Sequence, residues 1–266
     1  PRQGYIVIVP DYLEEGQDYD YTTKSVDKII RCFRDAMKRF HIDSDRIYLT
    51  GHGVGADAAF DLGMAMPGVF AGVIPISGLC QHHCRWTKDN DPNLSLYVVS
   101  GEKDRMLLTQ NATVLHRMMI SKKDILYTEY MGRGADDFYE EIHRLFDWME
   151  LHRLRRGVRE IDVQIVRPAF SRYYWFEVNE IPESLLVNDP VNNPRQVRTV
   201  SIDAKIVETK DEQRIYLTRR PSSKHTLWLT ADIFDFDKPV TCRGELQKEL
   251  VSQDVRAMLE DFGHRA

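Results

Sequence analysis

Two hydrophobic patterns alternate along the first 150 residues of the chain. One has the helical spacing seen at Val26, Ile29, Ile30, Phe33 and Met37, and it predicts helices at 24–40, 56–62, 107–120 and 138–152. The other consists of short β-rich runs, and it predicts strands at 5–9, 47–50, 72–78, 94–101 and 125–130. Apolar strands separated by helices are typical of a mostly parallel α/β sheet with helices on both faces.

The pattern changes near residue 157. Short β-rich runs then follow one another without a long helix, at 160–167, 172–178, 196–209, 213–219, 226–234 and 239–243. Turns rich in Pro, Asn and Asp, such as 188–194, separate these runs. The sequence therefore predicts an α/β domain over residues 1–156 and a small all-β, antiparallel, sandwich-like domain over residues 157–266.

Composition narrows the classes of partner. The 266 residues carry a formal net charge of -5, with a pI near 6.0, which argues against nucleic acid or an anionic membrane as partner. No apolar run approaches the roughly 20 residues that cross a bilayer. Four cysteines are too few for a disulfide scaffold, so a reducing compartment, by default the cytoplasm, is expected. The sequence starts at Pro1 without a signal peptide, and this start does not report on targeting.

A glycine-rich segment, Gly51-His52-Gly53-Val54-Gly55, lies between the predicted strand at 47–50 and the predicted helix at 56–62. In serine hydrolases, Gly-x-Ser-x-Gly at such a strand-to-helix turn forms the nucleophile elbow. Here the central residue is Gly53, which has no hydroxyl. The sequence predicts the turn without its nucleophile.

Further segments match motifs of one protein family, and they occur in the same chain order as in that family. They are Val-Pro-Asp-Tyr at 9–12, Pro-Ile-Ser-Gly at 75–78, Ser-Gly-Glu-Lys-Asp at 100–104, and residues 132–139. With these segments, residues 4–152 resemble the C-terminal part of an α/β-hydrolase of the serine esterase and prolyl or dipeptidyl peptidase type. The β-rich tail, which ends in Leu-Glu-Asp-Phe at 259–262, resembles an appendage of some bacterial members.

The resemblance implies positions for a catalytic triad in the order Ser, Asp or Glu, His. Gly53 then stands at the nucleophile position, Asp104 at the acid position and Ala135 at the base position, while the backbone N–H of Val54 matches the first oxyanion donor. Two of the three catalytic groups are absent, and the loss of such a unit costs about 10⁶ in turnover. Asp104 is alternatively a turn residue or a ligand-site carboxylate. No cofactor is implied.

Neighbouring side chains offer substitutes, each with a structural alternative. His52 is either a catalytic residue or a packing residue. Ser77 and Ser100 lie at strand ends, where hydroxyls commonly cap turns but where a relocated nucleophile is also conceivable. Asp136 and Asp137 precede the helix predicted from residue 138 and are expected to cap its positive end.

Thiol and imidazole side chains are concentrated in one short stretch, Cys80, His82, His83 and Cys84, and these are the usual zinc ligands. The second half of a familiar zinc motif is absent, so the metal interpretation is weak. The alternative is an ordinary loop over the mouth of the former active site.

The resemblance also implies a gap in the sheet. An α/β-hydrolase sheet has the strand order 1-2-4-3-5-6-7-8, and this chain is expected to open at the fourth strand, residues 5–9. The third strand, which would separate 5–9 from 47–50, is absent together with its oxyanion donor. Unpaired backbone groups would remain on both strands, so a missing N-terminal segment or another protein chain is expected to complete the sheet. A homo-oligomer is an alternative.

Two functions remain open at the level of sequence. The favoured one is a catalytically inactive homologue of serine hydrolases that is retained for binding or assembly. The other is a serine esterase or peptidase whose Ser and His were mutated or misassigned at positions 53 and 135.

Overall fold

Strands and helices alternate in the first part of the chain, as the pattern predicts. The computed structural model describes residues 4–11, 18–121, 124–180, 182–185, 189–243 and 246–259. The elements of this part are α1 Thr23–Arg39, β1 Tyr48–His52, α2 Val54–Ala65, β2 Gly72–Ile76, α3 Cys84–Thr87, β3 Ser95–Gly101, α4 Arg105–Ile120, β4 Ile125–Tyr130, a 3-10 turn Tyr139–Glu141 and α5 Ile142–Leu151. The strands form one parallel sheet in the order β1-β2-β3-β4. The predicted fold class is confirmed.

Alternate residues of the central strands pack on opposite faces of this sheet. Val73 and Leu96 belong to a large core that includes side chains of α1, α2 and α4. Ile74 and Tyr97, one position further along each strand, pack with Trp148 of α5. Because successive side chains of a strand point to opposite faces, helices cover the sheet on both sides and all four of these residues are buried.

The chain beyond residue 157 forms two further sheets. Its elements are β5 Glu160–Ile165, β6 Arg172–Tyr173, β7 Phe176–Val178, a 3-10 turn Glu183–Leu185, β8 Val200–Glu208, β9 Gln213–Arg219, β10 His225–Leu227, β11 Val240–Cys242 and β12 Leu246–Glu249. The sheet orders are β10-β7-β6 and β12-β11-β9-β8-β5. None of the helices in the described ranges is long and apolar enough to cross a bilayer.

Several details of the structure differ from the sequence prediction. The expected antiparallel arrangement is wrong for β9 and β11, which are parallel neighbours because a long connection through β10 separates them. The run 172–178 is a hairpin of two short strands, since Tyr174 with φ 55° reverses the chain between β6 and β7. Of the run 226–234, only the beginning pairs as β10. α3 and β12 were not predicted.

The predicted strand at residues 5–9 is wrong. The segment has no regular secondary structure, forms no ladder with a described strand, and leaves Val9 83% exposed. Tyr5 anchors it near the start of β1, because its hydroxyl accepts a hydrogen bond from Arg46 (2.6 Å) and its ring contacts that of Phe146. A strand requires a neighbour, and β1 is an edge of the sheet among the described strands. Tyr12 of the segment 9–12 and residues 260–262 of the tail lie outside the described residues.

The division into domains 1–156 and 157–266 stays a prediction. Buried side chains from both sides of residue 157 belong to one continuous hydrophobic cluster, in which Phe60 of α2 and Val163 of β5 are both fully buried. The two parts thus share a core.

A buried charged cluster also joins the two parts. Arg167, which follows β5, donates to Asp61 of α2 at 2.5 Å, and the Tyr19 hydroxyl donates to the same carboxylate oxygen at 2.6 Å. Arg167 also donates to the Tyr21 carbonyl (3.0 Å) and to Nδ1 of His83 (3.2 Å). Burial raises the pKa of Asp61, but Arg167, His83 and Tyr19 together outweigh burial and hold it at about 2. Burial and the Arg167 charge lower the pKa of His83, and they outweigh the opposite effect of Asp61.

We expect Arg167→Met to lower the free energy of unfolding at pH 7 by about 3–5 kcal/mol, because it leaves the Asp61 charge buried without a counterion. Urea denaturation measures this. The folded pKa of Asp61 lies below its ordinary value of 3.8, so the stabilisation is present above pH 4 and is lost as pH falls towards 2. The difference between the wild-type protein and the variant should therefore narrow below pH 4.

Arg31→Gln is the matched control, because it removes an exposed ion pair with Asp27 on α1. It should change stability by less than about 0.5 kcal/mol. Should Arg167→Met fail to fold, Tyr19→Phe, which removes one hydrogen bond to Asp61, is expected to cost about 1–2 kcal/mol. A Tyr19→Phe variant as stable as the wild-type protein would contradict a stabilising role of the cluster.

Candidate functional site

A single residue makes the turn between β1 and α2. β1 ends at His52 and α2 begins at Val54, so Gly53 alone reverses the chain, with φ 54° and ψ -120°. Side chains other than hydrogen rarely adopt this conformation. The Gly53 N–H donates to the carbonyl of Ile76 at the end of β2 (2.9 Å), and its own carbonyl accepts from Ala56 N–H (2.9 Å). A tight strand-to-helix turn is thus present at the position predicted for the elbow.

The glycines around this turn have different roles. A Cβ on Gly51 would overlap the carbonyl of Gly55, and one on Gly78 would overlap the Cβ of Ala56. A Cβ on Gly53 would meet no atom within 4 Å. Gly51 and Gly78 therefore let α2 approach the sheet, whereas a side chain at position 53 would face open space.

The loops that carry the predicted triad positions contact one another at the carboxyl edge of the sheet. Lys103, beside Asp104, donates its N–H to the carbonyl of Arg133 (2.8 Å). On the other side, Nε2 of His52 lies 3.0 Å from the carbonyl oxygen of Asp136. The loops of Gly53, Asp104 and Ala135 are thus connected through one backbone hydrogen bond and one contact of the His52 ring. The equivalence of these residues to a triad stays a prediction.

The chemical groups at the site are few. Gly53 and Asp104 are half-buried and Ala135 is exposed. Asp104 stands at the N-cap of α4 without a capping hydrogen bond from its side chain, and no hydrogen bond or ion pair of its carboxylate is found among the described residues. Val54 is the first residue of α2, so its N–H has no acceptor within the helix and faces the site end. The arrangement offers a donor and a carboxylate, without a nucleophile or a base.

The candidate substitutes lie apart from one another. His52 is exposed and contacts only the loop at Asp136 through its ring nitrogen. Ser77 is buried at φ 54°, and its hydroxyl has no hydrogen-bond partner in the described part of the chain. The Ser100 hydroxyl lies 2.5 Å from that of Tyr127. Neither serine hydroxyl is hydrogen-bonded to a histidine.

The prediction that Asp136 and Asp137 cap a helix is wrong. Helical structure begins only at Tyr139, and Phe138 at the N-cap, with φ 47°, forms no capping hydrogen bond through its side chain. Asp136 instead accepts hydrogen bonds from the Arg133 guanidinium (2.6 and 2.9 Å), which lower its pKa. The ion pair keeps the carboxylate away from the helix.

The four weak metal candidates do not converge on one point, although the two thiols, Cys80 and Cys84, interact with one another. Cys80 lies 3.9 Å from the Met64 sulfur, His82 Nδ1 lies 3.1 Å from the Pro190 carbonyl oxygen, and His83 belongs to the buried charged cluster. Cys84 is buried at the start of α3. In the described residues, no group of three or more His, Cys, Asp or Glu side chains is placed to hold a metal. This stretch packs into the core and is not a surface loop.

Two carboxylates of α2 were missed by the sequence interpretation. Asp61 anchors the charged cluster, and Asp57 accepts a hydrogen bond from Leu79 N–H at 2.6 Å. Burial raises the pKa of Asp57 to about 6. The available signal was their spacing of four residues on a helix that is otherwise small and apolar, which places both on one face.

The chain matches no protein-family model and no curated protein. Similar solved structures include a thermostable esterase (20% identity, TM-score 0.40, covering 47% of this chain and 36% of that one), SOBER1 from Arabidopsis thaliana (14%, 0.42, 51% and 66%) and a carboxylesterase from Bacillus cereus (13%, 0.41, 53% and 72%). The chain thus spans about a third of the first and just under two thirds of the second. The first and the third of these structures are described as esterases, and their activity does not follow for this chain.

We expect Gly51→Ala to destabilise the protein by about 2–4 kcal/mol, because the new methyl overlaps the Gly55 carbonyl and forces α2 away from the sheet. Gly55→Ala is the matched control: its Cβ meets no atom within 4 Å, and alanine favours the helix by about 1 kcal/mol. Thermal and urea unfolding measure both. Equal losses for the two variants would contradict the assigned packing.

Proposed function

We propose that this protein is a catalytically inactive homologue of the α/β-hydrolases that serves in binding or assembly. The observation that supports this proposal is the elbow itself. Gly53 has the strained φ and ψ of the turn, yet it has no side chain to act as nucleophile. Acyl transfer at such a site needs an oxygen nucleophile whose proton passes to an imidazole. Ala135 supplies no imidazole, and the Asp104 carboxylate has none to orient.

The surroundings of the two serines at the strand ends, Ser77 and Ser100, support the same proposal. Ser77 is the serine nearest in the sheet to the elbow, since it follows the residue that accepts the Gly53 N–H. Its hydroxyl is buried and has no base within hydrogen-bond distance among the described residues. Ser100 is bonded to a tyrosine hydroxyl, which is a weak base at neutral pH. Neither serine is activated.

We expect the protein to hydrolyse p-nitrophenyl esters no faster than solvent and to remain unlabelled by a fluorophosphonate probe. Intact-mass spectrometry after exposure to the probe measures labelling directly, and an active serine esterase serves as the positive control. Stoichiometric labelling of any serine would overturn the proposal. Peptide mapping, with Ser77→Ala as the first variant, would then locate the nucleophile.

The assembly part of the proposal rests on the open edge of β1. The backbone groups of Ile47 and Gly53 bond to the side of β2, so by alternation those of Tyr48, Thr50 and His52 face away from it. No described strand occupies that side. An unpaired row of backbone donors and acceptors is a template for another strand. We assign the strand that pairs with this edge to a segment encoded upstream of Pro1 or to another chain.

Hydrogen exchange tests this assignment with controls inside the same strand. In the isolated chain, the amides of Tyr48, Thr50 and His52 should exchange roughly 100-fold faster than those of Leu49 and Gly51, which face β2. In a chain extended by its upstream coding sequence, the outward amides should become protected. If protection of these amides rises with the concentration of the present chain, the pairing strand would instead come from a second copy of this chain. Outward amides that stay unprotected in every form would contradict sheet completion.

The second candidate function is a serine esterase or peptidase whose residues at 53 and 135 were mutated or misassigned. One observation favours it: a Cβ on Gly53 meets no atom within 4 Å, so the turn has space for a serine side chain, which the φ of 54° would hold in a strained backbone conformation. The codons at positions 53 and 135 of the encoding gene discriminate between the two functions. Ser and His codons would establish the enzyme, and Gly and Ala codons the inactive homologue.

A further inference from the structure

A cleft of about 510 Å³ opens at the amino end of β1, away from the elbow. Ile47, directly before β1, lines it, whereas Gly53 follows the strand, and five residues of strand span about 17 Å. Its other walls come from α1, the loop after α2, residues 154–158 and the second part of the chain. The volume lies within the range of sites that bind small organic molecules.

The interior of the cleft is aromatic. Its rings come from both parts of the chain: Phe33, Phe170, Tyr174, Trp175 and Trp228. Trp175 is only 3% exposed, and its indole N–H has no acceptor among the described residues. A buried donor without an acceptor costs about 1–3 kcal/mol, so a side-chain movement that brings this N–H to an acceptor atom of a ligand would be favourable.

One wall is held in a strained backbone conformation. Tyr174 has φ 55°, which is rare for a bulky residue, and its ring packs on Gly68. A Cβ on Gly68 would lie 2.8 Å from the ring carbon Cδ1 of Tyr174, so only glycine admits the ring at this place. Residues held in such conformations concentrate at ligand clamps. The wall is therefore preformed.

The charges around the cleft are asymmetric. Arg34, Lys38 and Arg155 are exposed at its rim, and no ion pair or hydrogen bond of their side chains is found in the described ranges. Cations outnumber carboxylates in the lining, which contains Arg34, Lys38, Arg155, Arg156 and Arg172 but only Glu177 and Asp232 as anions. In a protein of net charge -5, this concentration of cations is local and attracts anions.

We propose that the cleft binds a small organic carboxylate with a flat aromatic or apolar body. The body lies between the aromatic side chains, where it removes apolar surface from water. The carboxylate lies at the rim beside Arg34, Lys38 and Arg155, and the Trp175 N–H donates to a deeper acceptor atom. This site is distinct from the elbow and does not depend on the residue at position 53.

Naphthalene-2-carboxylate and dodecanoate serve as probes, with 2-naphthalenemethanol as the uncharged counterpart. Calorimetric titration and quenching of tryptophan fluorescence should show saturable binding of at least one carboxylate, about tenfold tighter than the alcohol. Tighter binding of naphthalene-2-carboxylate would indicate an aryl ligand, and tighter binding of dodecanoate would indicate an acyl ligand. No saturable binding at millimolar concentration, or equal binding of acid and alcohol, would overturn the proposal.

The double variant Arg34→Gln/Lys38→Gln should weaken carboxylate binding about three- to tenfold and flatten its dependence on salt. Trp175→Phe, which keeps an aromatic ring but removes the N–H donor, should weaken it about three- to tenfold without changing the salt dependence. Lys24→Gln, an exposed lysine of α1 outside the cleft, is the matched control and should bind like the wild-type protein. A control variant that loses as much affinity as the double variant would show that the rim charges do not bind the carboxylate.

Discussion

The buried ion pair between Asp61 and Arg167 ties together segments that lie far apart in the chain. Removing two charges from water costs several kcal/mol for each ion, and only close geometry with further hydrogen bonds offsets this cost. Here the further bonds come from Tyr19, the Tyr21 carbonyl and His83. The segment before α1, helices α2 and α3 and the chain after β5 must therefore all be in place before the pair is satisfied. Misplacing any one of them exposes an unpaired charge to the core.

Helix α2 connects this cluster to the elbow. Asp57 and Asp61 lie one turn apart on the same face, the first holding the loop at Leu79 and the second holding Arg167. The helix begins directly after Gly53, so its position fixes the turn. The geometry of the elbow is thus maintained by contacts that have no part in acyl transfer. The contacts that hold the turn are therefore independent of the residue at position 53.

The sequence predicted the elements whose stability is local, and it failed where distant partners decide. β4, β9 and the helices α1 and α4 were predicted almost residue for residue, because their apolar spacing and turn residues are contained within each segment. Residues 5–9 have the same β-rich pattern but no neighbouring strand, so the pattern alone was misleading. The parallel pairing of β9 and β11 depends on the course of a long connection, which periodicity does not encode.

The same distinction applies to the candidate site: its local features could be predicted from the sequence, and the features that depend on distant partners could not. The order of motifs predicted a strand-to-helix turn at Gly53, and its backbone conformation agrees with that prediction. The contact between His83 and Arg167 could not be predicted, because these two residues are separated by 84 residues in sequence and meet only in the folded core. The aromatic cleft was missed for a related reason, since its walls come from both parts of the chain.

The close packing of Gly51 against Gly55, and of Gly78 against Ala56, has an evolutionary consequence. Both contacts let α2 lie near the sheet, and any larger side chain at either glycine would separate them. Selection for folding alone would therefore preserve Gly51 and Gly78 whatever residue stands at position 53, whereas it places no such constraint on Gly55. A glycine that keeps a helix close to a strand persists for a reason of packing, and its presence in a sequence is by itself no evidence of catalysis.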